Sequence, residues 1–165
     1  MFELKPISQT SIPEALQKAE RYRFLNEPQL AESICHDILN IEPDNRLAII
    51  TLILSISDQL GRYPSVHMNA AKELIPLLSN DYEKNYYTGI IYERQGKAIL
   101  TRGMIGDDYA AYDVLMEAMN YFEKAESIRP AGLDDALLRW NTCARLIMSH
   151  DLHQRTEEKF EPMLE

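Results

Sequence analysis

The side chains best suited to chemistry are the neighbours His36 and Asp37, the pair His150 and His153, the lone His67, and the cysteines Cys35 and Cys143. A histidine base and the acid that orients it must face the same way. Adjacent residues of a helix instead point about 100° apart, so His36 and Asp37 read as part of a solvated helix face. His150 and His153 stand at i and i+3 and share a face, as two metal ligands would. No acid or cysteine at a metal-binding spacing completes the set. The run "GMIGDD", residues 103–108, has two glycines and two acids. It lacks the Gly-Lys-Ser/Thr ending that holds a phosphate and its acids would repel one, so it reads as a turn. These residues call for no catalytic group, no cofactor and no metal. An enzyme would need a cleft that joins His36 or His67 to acids brought from elsewhere.

The elements that position such groups are helical. Apolar residues recur every three or four places, and neither period-two alternation nor Asn-Gly and Asp-Gly hairpin turns occur, so the sequence predicts an all-α fold. Ser11 with Glu14, and Pro13 in the first turn, predict the start of a first helix that ends near Asn26. Asn26 then caps a second helix, which runs from Pro28 to Asn40 ahead of Pro43. A third starts at Asp44 or Asn45 and runs to Gly61. "YPS" leads to a fourth, which Pro76 kinks. Asp81 caps a fifth helix that continues past the usual length towards Gly103, "RGMIGD" turns the chain, and a sixth runs from Asp107 or Asp108 to just before Pro130. The last, capped near Asp134, presents Leu137, Trp140, Ala144 and Ile147 on one face. The tail 151–165 is polar and expected to be mobile.

Composition limits the partners. The chain of 165 residues is 45% hydrophobic and 26% charged, which suits one folded domain or a short repeat array. With 26 acids against 17 bases the net charge is −9, which repels phosphate backbones and anionic lipid headgroups. Neither nucleic acid nor membrane is an expected partner. The opening "MFELKPISQT" has no export-signal pattern, and the longest apolar run, Leu47 to Ile56, is half the ~20 residues of a spanning helix. Two distant cysteines form neither a disulfide framework nor a metal spacing, so a reducing cytoplasm is expected.

Two helix endings repeat. Ala31 to Pro43 and Ala118 to Pro130 each span twelve residues and share Ala at the first place and Ile, one residue, then Pro at the last. Paired helices that close on Pro resemble the tetratricopeptide repeat, a unit of about 34 residues with the pattern W-x2-L-G-x2-Y, A-x3-F, P. Gly89 and Tyr92, Ala118 and Phe122, and Pro130 match the third unit; Ala19 and Tyr22, Ala31 and Cys35, and Pro43 match the first. Ala15 and Asn85 stand where the Trp would be, and the one Trp, Trp140, lies in the last helix. In the second unit Ile53 and Ile56 replace the small residue and Tyr, and its Pro is absent. Pro43 and Pro130 are 87 residues apart against about 68 for two units, and most of the excess falls between Gly96 and Ala118. This predicts a lengthened, projecting third hairpin. Cys35, at a packed apolar place of the repeat, reads as a buried, inert thiol, and Cys143 as another.

The resemblance implies a right-handed α-α superhelix within a single domain over 1–150. It consists of hairpins over 11–42, 44–78 and 81–130 and a capping helix over 133–150. Small residues such as Ala19, Ala31, Gly89 and Ala118 admit the next helix, and stacking buries faces that no hairpin covers alone. In the family the first helix of each hairpin lines a concave groove that takes a peptide or helix. Carried over by place, that groove is Leu16, Glu20, Arg23 and Phe24, then Ile50 and Leu54, then Tyr86, Ile90 and Arg94, then Asn141 and Arg145. Its apolar and aromatic character implies a protein or peptide partner held by apolar anchors. Leu16, Glu20, Ile50 and Leu54 occupy the inner surface where relatives place a basic grip for an acidic C-terminus, so that activity is not expected. Ile50, Leu54 and Ile90 read equally well as core. A second surface, Tyr109, Tyr112, Leu115 and Met116 on the extra turns of the sixth helix, would promote a homodimer if left exposed. The fifth helix is the alternative cover for that strip.

Overall fold

The three- and four-residue apolar period becomes a succession of helices between Ile12 and Ser149 in the computed structural model, which describes residues 1–61 and 64–156. Among them lie seven α-helices and no strand: α1 Ile12–Phe24, α2 Pro28–Ile41, α3 Arg46–Ser57, α4 Pro64–Leu74, α5 Asp81–Arg102, α6 Asp107–Ser127 and α7 Asp135–Ser149. The all-α expectation holds.

Each helix packs on the next, and α1 also touches α3, α3 touches α5, and α5 touches α7. The even-numbered helices have no comparable mutual contact among the described residues. Sequence explains the central place of α3. It is apolar around almost its full circumference, and Ala48–Ile53 and Ser55–Ser57 are all buried. A helix of that kind needs neighbours on every side, and α1, α2, α4 and α5 supply them.

The longest contact joins α5 to α6. A Cβ on Gly89 would lie 2.6 Å from Cε1 of Phe122, and one on Gly96 would lie 2.8 Å from Leu115, so two glycines on one face of α5 let α6 come close. The extra turns of this pair end at Gly103, whose left-handed φ of 65° caps α5. Asp107 fixes the turn: its Oδ2 accepts from the Met104 amide at 2.8 Å and from Arg102 Nε at 3.0 Å. These bonds hold its carboxyl below the usual range, Arg102 contributing most.

Helix starts depart from expectation in three places. Ser11 does not cap: residues 9–11 form a 3-10 turn running straight into α1, and the Ser11 hydroxyl donates back to the Ser8 carbonyl at 2.7 Å. Asn26 takes up a left-handed φ of 61° just past α1 and leaves Glu27 at the start of α2. Asn80, not Asp81, caps α5, accepting from the Glu83 amide at 2.8 Å. Of the two expected starts, Asp44 and Asn45, it is Asn45 that caps α3, accepting from Ala48 at 3.0 Å, and α3 stops at Ser57 rather than Gly61. Pro76 lies in a 3-10 turn, Ile75–Leu77, that ends the α4 segment. The tail is not wholly free. Leu152 is buried against the core of α5 to α7 while Asp151 and residues 153–156 are exposed, and 157–165 of the expected mobile tail and Tyr63 of "YPS" lie outside the described residues.

Candidate functional site

The odd-numbered helices touch in succession, so residues predicted from separate hairpins meet along one row. Its firmest feature is polar. Asp58, at the C-terminal end of α3, takes Arg23 Nε from α1 on Oδ2 at 2.9 Å and Arg94 Nη1 from α5 on Oδ1 at 2.9 Å. Arg94 also donates to the Leu54 carbonyl at 2.7 Å and to the Ser57 hydroxyl at 2.5 Å. Burial lowers Arg94 from its ordinary range, and Asp58 opposes that shift. A guanidinium in such a place is stable only with partners on several sides.

A second polar knot joins α5 to α7. Glu93, 1% exposed, accepts from Lys97 one turn along α5 and from Arg139 Nη1 at 3.2 Å, while its Oε2 has no partner. A third joins α3 to α5, where Arg46 donates through Nε at 2.7 Å and through Nη2 to Oε1 of the buried Glu83. Asp58, Glu93, Arg139 and Arg46 were not among the residues the sequence singled out. Asp58 carried a legible signal, since an acid at the C-terminal end of an apolar helix opposes the helix dipole and needs a cation. Glu93 did too, being an acid directly after the apolar run Ile90–Tyr92.

Of the predicted groove residues, Phe24 is 86% exposed, Glu20 is exposed, and Leu16, Leu54 and Tyr86 are half-buried. Arg23 and Arg94 are brought together by Asp58. Ile50, 8% exposed, and Ile90, 2% exposed, belong to the core, because α1 and α5 close over α3, and α6 over α5. On α7 it is Arg139 that reaches α5. At 100° per residue Asn141 and Arg145 lie about 200° and 240° around the helix from it, so they face away from that contact. Leu47, half exposed on α3, is an apolar residue the prediction left out.

The proposed second surface is largely covered. Leu115 is fully buried against Gly96, and Tyr112 packs on the same cluster. Tyr109 meets the His153 ring edge-on at 5.5 Å, under the segment that follows α7. Only Met116 is exposed. The extra turns of α5 cover those of α6, which is why the aromatic strip does not reach solvent. What does reach it is the turn, where Met104 and Ile105 are exposed, Ile105 entirely.

The candidate chemical groups remain apart. His36 Nε2 lies 3.8 Å from Glu32, His67 Nδ1 lies 3.0 Å from the Gln59 carbonyl, and His150 and His153 contact the backbone carbonyls of Leu146 and Asp151. Cys35 and Cys143 are both buried and free, and burial pushes each thiol up to about 12. Among the described residues no three His, Cys, Asp or Glu side chains are grouped to hold a metal, and no helix is long and apolar enough to cross a membrane. No family model, curated protein or solved structure matches the chain.

Proposed function

We propose that this chain is a non-catalytic interaction module of tetratricopeptide type, a right-handed α-α superhelix that holds a protein or peptide segment along the row α1, α3, α5, α7. The observation that carries this reading is the direct packing of α1 on α3, α3 on α5 and α5 on α7. It is supported by the close seat of Phe122 on Gly89, where the repeat pattern calls for a small residue on the first helix and an aromatic one on the second. The accessible part of the row offers Phe24, next to the Asp58 partner Arg23, and Leu47 as apolar anchors, with Leu54 half-buried on α3. A segment with a few apolar side chains, in helical or extended form, suits it. The buried free thiols favour a reducing, cytoplasmic setting.

Site-specific photo-crosslinking tests the reading. A benzophenone at Phe24 or Leu47 should capture a partner, while one at His36, exposed on α2, should not. Capture from His36 alone would overturn it. A second reading, self-association through the turn of the third hairpin, is favoured by the full exposure of Ile105 on a turn held by Asp107. Light scattering of the wild type beside Ile105→Asp would then show an oligomer lost in the variant.

A further inference from the structure

The N-terminal ends of α3, α5 and α7 enclose a cavity of about 350 Å³, within the ~300–1,000 Å³ of small-molecule sites. We propose that it binds a compact organic cation with N–H donors, a guanidinium or a primary ammonium, either free or borne on a peptide side chain. One of its lining groups is orphaned. Glu83, 6% exposed, gives Oε1 to Arg46 and leaves the buried Oε2 with no partner. The Tyr82 hydroxyl, which also belongs to the lining residues, has only the Ala136 backbone beside it. An unpaired buried carboxylate oxygen is uncommon in native proteins, and a donor entering the cavity would give Glu83 the partner it lacks.

The walls suit a cation on two further grounds. Tyr82 and Tyr86 stack at 5.9 Å and Tyr86 meets Tyr87 edge-on at 5.1 Å, so aromatic groups gather on one side. Burial raises Tyr82 and pushes Tyr87 up to about 12, so these rings remain neutral phenols at physiological pH. The lining charges are Arg46, Glu83 and Asp135, which leave a net negative charge after the Arg46 to Glu83 pair. An anion would face two carboxylates with the one guanidinium already engaged. The cavity lies at one end of the same row and shares Tyr86 with it, but it would bind its ligand whether or not the rest of the row holds a partner.

The test is calorimetric titration of the full chain, with tyrosine-ring NMR to locate binding. The probes are agmatine and cadaverine as free cations, the acetylated amides of arginine and lysine as side-chain mimics, and the acetylated amide of citrulline as a neutral isostere. At least one cation should bind saturably and shift the rings of Tyr82, Tyr86 and Tyr87. Citrulline should bind about tenfold or more weakly than arginine, in line with loss of a charged hydrogen bond. Stronger binding by the free cations identifies a free amine as ligand, and stronger binding by the amides identifies a peptide side chain. Glu83→Gln should weaken binding about tenfold. Because that change also disturbs Arg46, Tyr82→Phe serves as the second variant, removing one hydroxyl from the lining and leaving the ring and the Arg46 to Glu83 pair in place. It should weaken binding severalfold. No saturable binding by any cation, citrulline equal to arginine, or unchanged affinity in a folded Tyr82→Phe would each overturn the proposal.

Discussion

Gly89 of α5 lies directly beneath the ring of Phe122 of α6, so closely that a methyl group on Gly89 would come within 2.6 Å of Cε1 and 2.7 Å of Cδ1. Phe122 is fully buried in the core that α5, α6 and α7 share. In Gly89→Ala two effects compete. Helix propensity favours Ala by about 0.8–1 kcal/mol, whereas forcing a methyl into a packed core costs about 1–3 kcal/mol. With the methyl placed against a buried ring, overpacking outweighs propensity, and a net loss of up to about 2 kcal/mol is expected from urea unfolding. Phe122→Leu placed in the Gly89→Ala background should recover part of it. If Gly89→Ala proves stabilising, the ring has room to move and the close seat is not what holds α5 to α6.

Asp58 links helices that are not neighbours in sequence, pairing with Arg23, 35 residues before it, and with Arg94, 36 residues after it. Asp58→Ala removes the counter-charge of Arg94, which keeps its bonds to the Leu54 carbonyl and the Ser57 hydroxyl. Asp58 is itself partly solvated, so the expected loss is about 1–2 kcal/mol rather than the ~3–5 of a fully buried pair. A double-mutant cycle between Arg23→Ala and Asp58→Ala should show coupling. Additive effects would mean that α1 is held by its apolar contacts alone.

Alkaline pH should destabilise the fold through its thiols. Cys35 and Cys143 are pushed up to about 12 by burial, against ~8.5 in the unfolded chain. Above ~8.5 the unfolded state releases protons that the native state keeps, so stability falls as pH rises towards 12, by about 1.4 kcal/mol per pH unit for each thiol. Below ~8.5 the two states bind equally and the effect vanishes. The urea midpoint should fall from pH 8 to pH ~10, and Cys35→Ala with Cys143→Ala should flatten that slope whatever it does to stability at neutral pH. Both native thiols should also resist alkylation until the chain is unfolded. Rapid labelling of either in the native protein would contradict their burial.

Asp107 responds in the opposite range. Arg102 and the Met104 amide lower its native value, so its contribution is full above the unfolded carboxylate range near ~3.9 and is lost as pH falls through the lower native value. In Asp107→Asn the charged bonds are absent at any pH. Amide exchange should then speed up across 103–110 while the core of α3 stays protected. Equal protection in the variant would show that the left-handed Gly103 alone fixes this turn.

Much of the scaffold was determined by the sequence. Period, Pro and Gly act over one or two turns, so the helices, the long third hairpin and its Gly103 stop could be read directly, while the start of α3 could be narrowed only to Asp44 or Asn45. The small residues Ala19, Ala31, Gly89 and Ala118 likewise marked places of close approach, and all four are buried. Tertiary structure decided which faces meet. Helix α3 is apolar around its whole girth, so no periodicity could tell which of its residues would stay accessible, and Ile50 went to the core while Leu47 did not. Asn141 and Arg145 were assigned by place in a repeat, yet the rotation of α7 turned Arg139 to Glu93 instead. The polar links from Asp58, Glu83 and Glu93 join residues 35 to 46 apart. Their partners are fixed only when packing brings burial, charge and geometry to one point, and no rule confined to neighbouring residues contains that information.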